Sequence, residues 1–365
     1  MPMDNIAKIT PYQLFIHPLD IKELRSDIWC DDPIPAVLTI NKKRIEIDIA
    51  YRGSHIRKFK KKSYHITFFK PKTYRNAKEV HLNAEYKDPS LIRNKLSFDF
   101  FSEIGALAPQ SRYVSLNLNG KNEGIYLELE SVDEWFLAKR KLPNGAIFYA
   151  VDGDANFSLM SDLDKEVKKS LELGYERKFG SDQDDYFLQE MIIKVNSIST
   201  AEFEIEIEKY IHVDKYLIWL AGVVFTQNYD GFVHNYALYR SGETGQFEII
   251  PWDYDATWGR DVNGKYMEEN YVRIEGFNTL TARILAVDTF RKKYRSLLEQ
   301  ILNQQFTLEF MKPKIETLHK LIRPVVITDP YEKENIETFD QEPDFICRYI
   351  EARSRFIKSQ LYKLD

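Results

Sequence analysis

The residues best suited to chemistry lie in a polar stretch between positions 228 and 261, NYDGFVHNYALYRSGETGQFEIIPWDYDATWGRD. It follows an apolar run and presents, in order, Asp230, Asn235, a hairpin-like segment, and then Asp253 and Asp255. Phosphoryl transfer depends mainly on positioning and charge neutralisation. Mg²⁺ accepts carboxylate and amide oxygens and keeps some of its waters. The order therefore predicts a site in which Asp230 takes the proton of an attacking hydroxyl, while Asp253, Asp255 and Asn235 hold a metal.

A simpler interpretation, in which these residues only shape turns, competes with this prediction. The spacing D-x-x-x-x-N is weak by itself, since about one instance is expected by chance in a chain of this composition. Asp and Asn also favour turns because they bond to their own backbone, and Asp253 would serve equally as a helix cap. Two aspartates at Asp253 and Asp255 nevertheless repel each other unless a cation is near. An Asp and Asn loop, a hairpin and a metal-binding Asp also follow one another in protein kinases.

A second stretch carries six basic residues between Arg52 and Lys62. It could be a solvated face, a surface for an acidic partner, or the source of one lysine that points at a nucleotide. Lys62 shares its strand parity with the apolar residues that follow, which predicts that it faces inward while Lys61 faces solvent. Lys62, with Arg52, would then neutralise phosphate charge. Its helix carboxylate partner would be Asp99 or Glu103, and the sequence does not choose between them.

The segment Leu127–Asp133 lies where predicted strands give way to helices. We expect a hinge here that meets an adenine ring through Glu130 and Val132, with Trp252 as a further contact to the nucleotide. The alternative is a strand that simply ends in a helix cap at Ser131.

Periodicity and turn residues predict an α+β chain, with a β-rich lobe over residues 1–130 and an α-rich lobe over residues 131–365. The predicted strands and hairpins cover Ala36–Ala50, Ser63–Phe69, Tyr113–Asn117 with Ile125–Leu129, and Tyr236–Arg240 with Gln246–Ile250. The predicted helices are one from about Asp88 to Glu103, a buried one over Val213–Phe225, and one that starts near Pro343.

Composition excludes several classes of protein. The chain has 365 residues, 44% of them hydrophobic, which is ample for a core. Its longest apolar stretch, Tyr216–Thr226, is far short of the roughly 20 residues of a membrane span, and we see no secretory signal. Cys30 and Cys347 are its only cysteines, so a disulfide scaffold is excluded. A net charge of −5 argues against a nucleic-acid partner.

Several of these segments together resemble the CotH family, spore-coat proteins of spore-forming bacilli that act as atypical protein kinases. The resemblance rests on Arg52–Ser54, Lys61–Tyr64, Asp88–Lys95, Asn119–Gly120 with Gly124–Glu128, Asn228–Gly231, His234–Tyr236 and Ile250–Gly259. The chain contains no G-x-G-x-x-G motif. The resemblance implies a shortened glycine-rich loop, which fits that absence.

The resemblance implies a divergent two-lobed protein-kinase-like fold that uses ATP and a divalent metal. It implies phosphorylation of serine, or threonine, in serine-rich coat proteins, a role in coat assembly with a link to germination left open, and a place first in the mother-cell cytoplasm and then in the inner spore coat. Asp230 matches the family's catalytic-loop aspartate and Asp253 its metal-binding aspartate. Asn235 fits the second metal ligand, and Lys62 falls within the lysine motif. Gln227–Tyr229 replaces the usual His-Arg, and Asn228 is expected to support the loop instead.

Two other functions remain open at this point. The chain could be a structural coat protein that works by binding partners. It could also be another metal-dependent phosphotransfer enzyme, such as a phosphohydrolase or a small-molecule kinase. The sequence does not decide between Mg²⁺ and Mn²⁺, because both are hard cations.

Overall fold

The computed structural model describes residues 9–69 and 73–365. Its strands are β1 (Thr10–Ile16), β2 (Ile34–Ile40), β3 (Lys43–Tyr51), β4 (Tyr64–Phe68), β5 (Glu79–Asn83), β6 (Ser111–Leu118), β7 (Lys121–Glu130), β8 (Gly145–Ala150), β9 (Tyr175–Phe179), β10 (Tyr236–Ser241) and β11 (Phe247–Pro251). Its α-helices are α1 (Pro18–Ser26), α2 (Arg93–Glu103), α3 (Glu134–Arg140), α4 (Asp182–Ser197), α5 (Phe203–Glu206), α6 (Val213–Thr226), α7 (Thr279–Leu285), α8 (Asp288–Asn303), α9 (Leu308–Val326) and α10 (Ile336–Gln360).

Strands β1 to β7 close into a barrel in the order β1-β2-β3-β4-β5-β7-β6. The pairs are antiparallel except β1 with β6, which run parallel and close the barrel. Along β1, Tyr12, Leu14 and Ile16 are buried and the residues between them are exposed. Because side chains alternate between the two faces of a strand, the apolar set fills the barrel and the other set faces outward.

The rest of the chain packs helices around a four-stranded antiparallel sheet in the order β11-β10-β8-β9. Helix α6 is the centre of this part, and most of its side chains are fully buried. It crosses α2 closely, since a Cβ atom on Gly222 would lie 2.1 Å from the ring of Phe101. Although α6 is strongly apolar, no helix within the described ranges is both long and apolar enough to cross a membrane.

The prediction of a mixed chain with a β-rich N-terminal region is confirmed, but several element bounds were wrong. The region after residue 131 contains a four-stranded sheet, in which the predicted hairpin supplies β10 and β11, whereas strands β8 and β9 were not predicted. Helix α10 begins at Ile336 and contains Pro343 in its interior. Helix α2 begins at Arg93 rather than at Asp88, because the Asp88 carboxylate caps it by accepting from the Arg93 amide at 2.9 Å.

A buried ion pair fastens the C-terminal helices to the barrel. The Lys61 ammonium lies 3.0 Å from the Asp329 carboxylate, and both side chains are fully buried. Lys61 also donates to the Ile125 carbonyl at 2.7 Å, and the same Asp329 oxygen accepts from the Ile125 amide at 2.9 Å. Gly124 makes this approach feasible, since a Cβ there would lie 1.8 Å from that oxygen. The connector between α9 and α10 is therefore locked onto the β6–β7 hairpin.

A second buried network centres on Arg93, which is fully buried. Its guanidinium bonds to Asp88 at 2.5 Å, to Glu342 of α10 at 2.7 Å and to the Thr257 carbonyl at 2.9 Å. Arg260 donates to the other oxygen of Glu342. This network ties the start of α2 and the segment after β11 to the C-terminal helix.

We expect Asp329→Asn to destabilise the chain by about 3–5 kcal/mol, because it leaves the buried Lys61 charge without a counter-charge. Urea unfolding measures the loss. The matched control is Asp340→Asn, which weakens partly exposed contacts with Arg323 and His319 and should cost about 1 kcal/mol or less. Equal losses in the two variants would contradict a structural role for the buried pair.

Glu332, next to this pair, should make stability depend on pH. Burial, opposed by Lys61 and assisted by Asp329, raises the pKa of its carboxyl from 4.5 to about 7. Its ionisation therefore costs stability progressively as the pH rises from 4.5 to 7, and the cost stays constant above 7. We expect Glu332→Gln to be more stable than the wild type by about 2 kcal/mol at pH 8. Near pH 4 the difference should vanish, and a gain that is the same at both pH values would refute this assignment.

Candidate active site

The loop after α6 is shaped by its own asparagines. Helix α6 ends at Thr226, and the residue after it, Gln227, adopts a left-handed conformation with φ of 65°. Asn228 accepts from the Gly231 amide at 3.2 Å, so it holds the turn that carries Asp230. The prediction that Asn228 supports this loop is confirmed. Asp230 is partly exposed, and its carboxylate lies 4.0 Å from the His234 Nε2 atom.

The two polar loops meet at one backbone atom. Asn228 and Asn235 each donate from the side-chain amide to the Asp253 carbonyl, both at 3.2 Å. The Trp252 amide donates to the Asn235 carbonyl at 3.0 Å. Asp253 itself has φ of 59°, a left-handed conformation that Asp adopts more readily than most residues. The structure therefore brings Asp230, Asn235 and Asp253 together, although 23 positions separate the first from the last.

Burial and mutual repulsion raise the pKa values of the carboxyl groups in this region. Burial raises the pKa of Asp253, with a further contribution from Asp230, while Arg52 and His234 oppose the shift. Burial, together with Asp253 and Asp88, raises the pKa of Asp255 to about 8. A nearby cation would favour the ionised forms of both groups.

Arg52 is the barrel's contribution to this region. Its guanidinium donates to the Asn83 side chain at the end of β5 and lies 5.6 Å from the centroid of the Trp252 ring. Burial lowers its pKa, and the charges of Asp253 and Asp255 oppose that effect. Arg52 and Trp252, both predicted as nucleotide contacts, are thus neighbours beside the loop of Asp253.

The two lysines lie differently from the prediction. The expectation that Lys61 faces solvent was wrong, since Lys61 is fully buried against Asp329. The parity argument does not apply at this point because β4 begins only at Tyr64. Lys62 is half-buried, and its ammonium donates to the Arg57 carbonyl.

Neither helix carboxylate considered as a lysine partner contacts Lys61 or Lys62. Asp99 pairs with Lys95 at 2.6 Å, and Glu103 pairs with Lys314 at 2.7 Å. The acid that meets a lysine of the motif comes instead from Asp329, 268 positions after Lys61. No local pattern in the sequence could have indicated it.

The groups expected at the hinge are engaged within the protein. Glu130 pairs with Lys139 at 2.9 Å and with Arg140 at 2.8 Å. The Val132 amide donates to the hydroxyl of Tyr149 at 2.8 Å. The following helix is capped by Asp133, whose carboxylate accepts from two amides of its first turn, and not by Ser131.

Sequence reasoning missed a buried acid beside the loop of Asp253. Glu85 is 6% exposed, and one carboxylate oxygen accepts from the Asn94 side chain at 3.1 Å while the other has no hydrogen-bond partner. Burial, and then Asp255, raise the pKa of Glu85 well above its ordinary value. The side-chain oxygen Oδ1 of Asn94 accepts from the Tyr254 backbone amide at 3.0 Å. The sequence offers one signal for this contact, the segment Asp88–Lys95, which contains Asn94 and carries part of the family resemblance.

Within residues 9–69 and 73–365, no group of three or more His, Cys, Asp or Glu side chains is arranged to hold a metal. The donor chemistry still fits a hard divalent cation. Asp253, Asp255 and Asn235 offer oxygen atoms, and a bound cation would oppose the effect of burial, which raises the pKa of both carboxyl groups. Mg²⁺ characteristically takes one or two carboxylates and obtains its remaining ligands from water and substrate phosphates.

A pocket of about 340 Å³ lies beside Asp230. Its lining comes from the loop at residues 227–230, from Ala256, and from the segment at residues 261–271. Tyr229, Tyr266 and Tyr271 contribute exposed aromatic surface to it.

Fold and site thus define a mixed α/β protein in which two acidic loops meet opposite an arginine from a barrel. The chain belongs to the CotH family: the family model described as CotH kinase protein matches residues 49–357. It is 65% identical to the inner spore coat protein H of Bacillus subtilis (strain 168) over 98% of this chain and 99% of that protein. It is also 31% identical to the inner spore coat protein H-like protein of the same organism, over 83% of this chain and 87% of that one.

Solved structures show only distant likeness. The proinflammatory kinase CtkA of Helicobacter pylori aligns with 80% of this chain and 95% of its own, at 12% identity and a TM-score of 0.33. A chain of the HipA, HipB and operator DNA complex of Shewanella oneidensis MR-1 aligns with 97% of this chain and 76% of its own, at 13% identity and a TM-score of 0.36. Likeness at this level supports no conclusion about fold or function.

Proposed function

We propose that this protein is an atypical protein kinase that transfers the γ-phosphate of ATP to serine, or threonine, side chains of spore-coat proteins. The observation that carries the proposal is the junction at the Asp253 carbonyl, where Asn228 and Asn235 join the two acidic loops opposite Arg52. Phosphoryl transfer needs this combination of an acid near the acceptor, oxygen ligands for a metal and a cation for phosphate. Membership of a family described as kinases supports the same activity.

In this mechanism each group has one task. Asp230 orients the acceptor hydroxyl and takes its proton as the serine Oγ–phosphorus bond forms. The bond from the γ-phosphorus to its bridging oxygen breaks, and ADP leaves. Asp253, Asp255 and Asn235 would hold Mg²⁺ or Mn²⁺, which supplies charge neutralisation on the phosphate oxygens when bound. Arg52 adds positive charge from the barrel side.

Of the remaining residues expected to contact the nucleotide, Trp252 needs no rearrangement to do so, whereas Glu130, Val132 and Lys62 would have to exchange partners. Trp252 lies beside Arg52 and is proposed to contact the nucleotide. The side chain of Glu130 and the amide of Val132 are already bonded within the protein, so they would have to exchange partners to meet an adenine ring. Lys62 would likewise have to leave the Arg57 carbonyl to reach a phosphate.

The proposed location is supported by the name of a relative. The name of the 65% identical relative places that relative in the inner spore coat. We propose that this chain acts in the mother-cell cytoplasm and then resides in the inner coat, with serine-rich coat proteins as its acceptors. Two functions compete with this proposal: a purely structural role and another phosphotransfer reaction. Measuring the transfer of labelled phosphate to an acceptor protein distinguishes them.

Asp253→Asn should reduce transfer of labelled γ-phosphate to a serine-rich coat protein by at least about a hundredfold, because it removes a charged ligand. Asn tolerates the left-handed backbone at this position, so the fold should persist. Circular dichroism and urea unfolding verify that it does. The matched control is Asp214→Asn, an exposed acid at the start of α6 that pairs with Lys293 and should leave the rate unchanged.

Three other outcomes of that assay would count against the proposal. Equal labelling of the acceptor by wild type and by Asp253→Asn would exclude Asp253 as a metal ligand. Hydrolysis of ATP without a labelled acceptor would favour a phosphohydrolase. No transfer by folded wild type with either Mg²⁺ or Mn²⁺ would favour a structural coat protein.

Arg52→Met should weaken ATP binding about tenfold or more, since it removes the barrel's cation beside the loop of Asp253. Affinity is measured by titrating ATP against the intrinsic tryptophan fluorescence. Lys58→Met, which removes an exposed charge from the same basic stretch, is the control and should bind ATP like the wild type. If both variants bind ATP equally well, Arg52 is not a phosphate contact.

A further inference from the structure

The segment at residues 151–174, between β8 and β9, carries a small hairpin whose polarity is inverted. Met160 and Val167 form its cross-strand bridge, so their side chains lie on one face, where they are 44% and 70% exposed. Ser161 and Lys168, the next residue on each side of the hairpin, point to the other face and are buried. The hairpin therefore turns polar side chains toward the protein and apolar ones toward solvent.

The buried polar side chains hold the hairpin in one position. The Asp154 carboxylate accepts from the Ser161 hydroxyl at 3.0 Å and from the Asp162 amide at 2.7 Å. The Lys168 ammonium donates to the Asp154 carbonyl, and to the Asn156 side-chain oxygen at 2.9 Å. Because these inward groups are hydrogen-bonded to one another, the outward face is fixed before any partner arrives. Pre-organisation of this kind favours binding.

The exposed apolar surface continues beyond the bridge. Leu163, at the tip, is 62% exposed and folds back over the start of the segment, since a Cβ on Gly153 would lie 3.6 Å from its Cδ2 atom. Val151 and Leu173 are also exposed, and the Val151 amide donates to the Gly174 carbonyl at 2.8 Å, so the two ends of the segment lie side by side. Single exposed apolar residues are ordinary, but several of them on one short segment are typical of an interaction site.

The charges at the tip limit what can cover this face. Asp162, Asp164 and Glu166 are exposed, and Lys165 is the single basic residue of the stretch 159–167, so three acids against one base leave a net charge of −2. A second copy of this chain would bring the same negative charge to the contact. A stable dimer also needs about 20–30 residues on each side, far more than this hairpin offers. The complementary occupant is a short segment of another protein that combines apolar side chains with Lys or Arg.

The base of the segment is part of the sheet that carries a candidate metal ligand. The ring of Phe157 stacks on that of Tyr236 with centroids 5.7 Å apart, and the Tyr236 hydroxyl donates to the Ala155 carbonyl. Tyr236 is the first residue of β10 and directly follows Asn235. A partner bound on the hairpin is therefore attached to the same rigid element as the loop of Asn235.

We propose that the hairpin at residues 159–168 is a docking surface for a short amphipathic segment of another protein. Apolar side chains of that segment cover Met160, Leu163 and Val167, and its Lys or Arg side chains meet the acids of the tip. The acids disfavour an anionic lipid surface, which attracts basic segments instead. The inference goes beyond the proposed phosphoryl transfer and does not depend on it, because the hairpin contains none of the groups assigned to that reaction.

The test uses the full chain and two fluorescently labelled peptides of Leu and Lys, one with the residue types alternating as in a strand and one with them spaced for an amphipathic helix. Fluorescence anisotropy measures their binding. We expect wild type to bind at least one peptide, and the double variant Leu163→Ser with Val167→Ser to bind it about tenfold or more weakly, because apolar contacts are lost. Asp164→Lys should weaken binding about threefold or more, as should raised salt. The matched controls Ile205→Ser and Glu204→Lys change exposed residues of α5 and should bind like wild type.

Further measurements locate the bound peptide and identify other occupants. Amide hydrogen exchange in residues 159–168 should slow when the peptide is added, and circular dichroism verifies that every variant is folded. Failure of both peptides to bind wild type would overturn the proposal, as would equal binding by wild type and the folded double variant. Self-association in sedimentation velocity that the double variant abolishes would replace the partner with a second copy. Binding to phosphatidylcholine or phosphatidylserine vesicles that the double variant loses would replace it with a lipid surface.

Discussion

The ion pair between Lys61 and Asp329 is the interaction on which the relation between the barrel and the helices depends. Both side chains are fully buried, so each charge needs the other. Asp329 also accepts from the Ile125 amide, and Gly124 leaves the space that this contact requires. Lys61, which the strand pattern predicted to face solvent, is thus part of the buried framework.

The basic stretch from Arg52 to Lys62 illustrates the same constraint. It looks like a charged surface in the sequence, but much of its charge is used within the fold. Arg57 is 7% exposed and donates to backbone carbonyls of Ile28 and Tyr51. Lys62 donates to the Arg57 carbonyl. Arg52 is left as the basic side chain of this stretch that adjoins the loop of Asp253.

The acidic side chains of the site repel one another, and contacts from the rest of the fold hold them close together. Asp253, Asp255 and Glu85 all have raised pKa values, chiefly because they are buried. Asp253 and Asn235 also adopt left-handed backbone conformations, which cost of order 1 kcal/mol or more each. The buried network of Arg93 and the two asparagine amides at the Asp253 carbonyl supply the compensating contacts. Strain and like charge concentrated at one place are typical of sites built for a ligand.

The sequence by itself determined the β-rich N-terminal region, the buried helix α6 and the two polar loops, because periodicity and turn chemistry are local properties. Its motifs also indicated the CotH family, which the matches to relatives confirm. Only the tertiary structure decided that Lys61 is buried, that its partner is Asp329 and that the Val132 amide is bonded to Tyr149. It alone placed Glu85 and Asn94 beside the loop of Asp253. Those contacts join residues far apart in the chain, and no local pattern of residue types specifies which distant groups will meet.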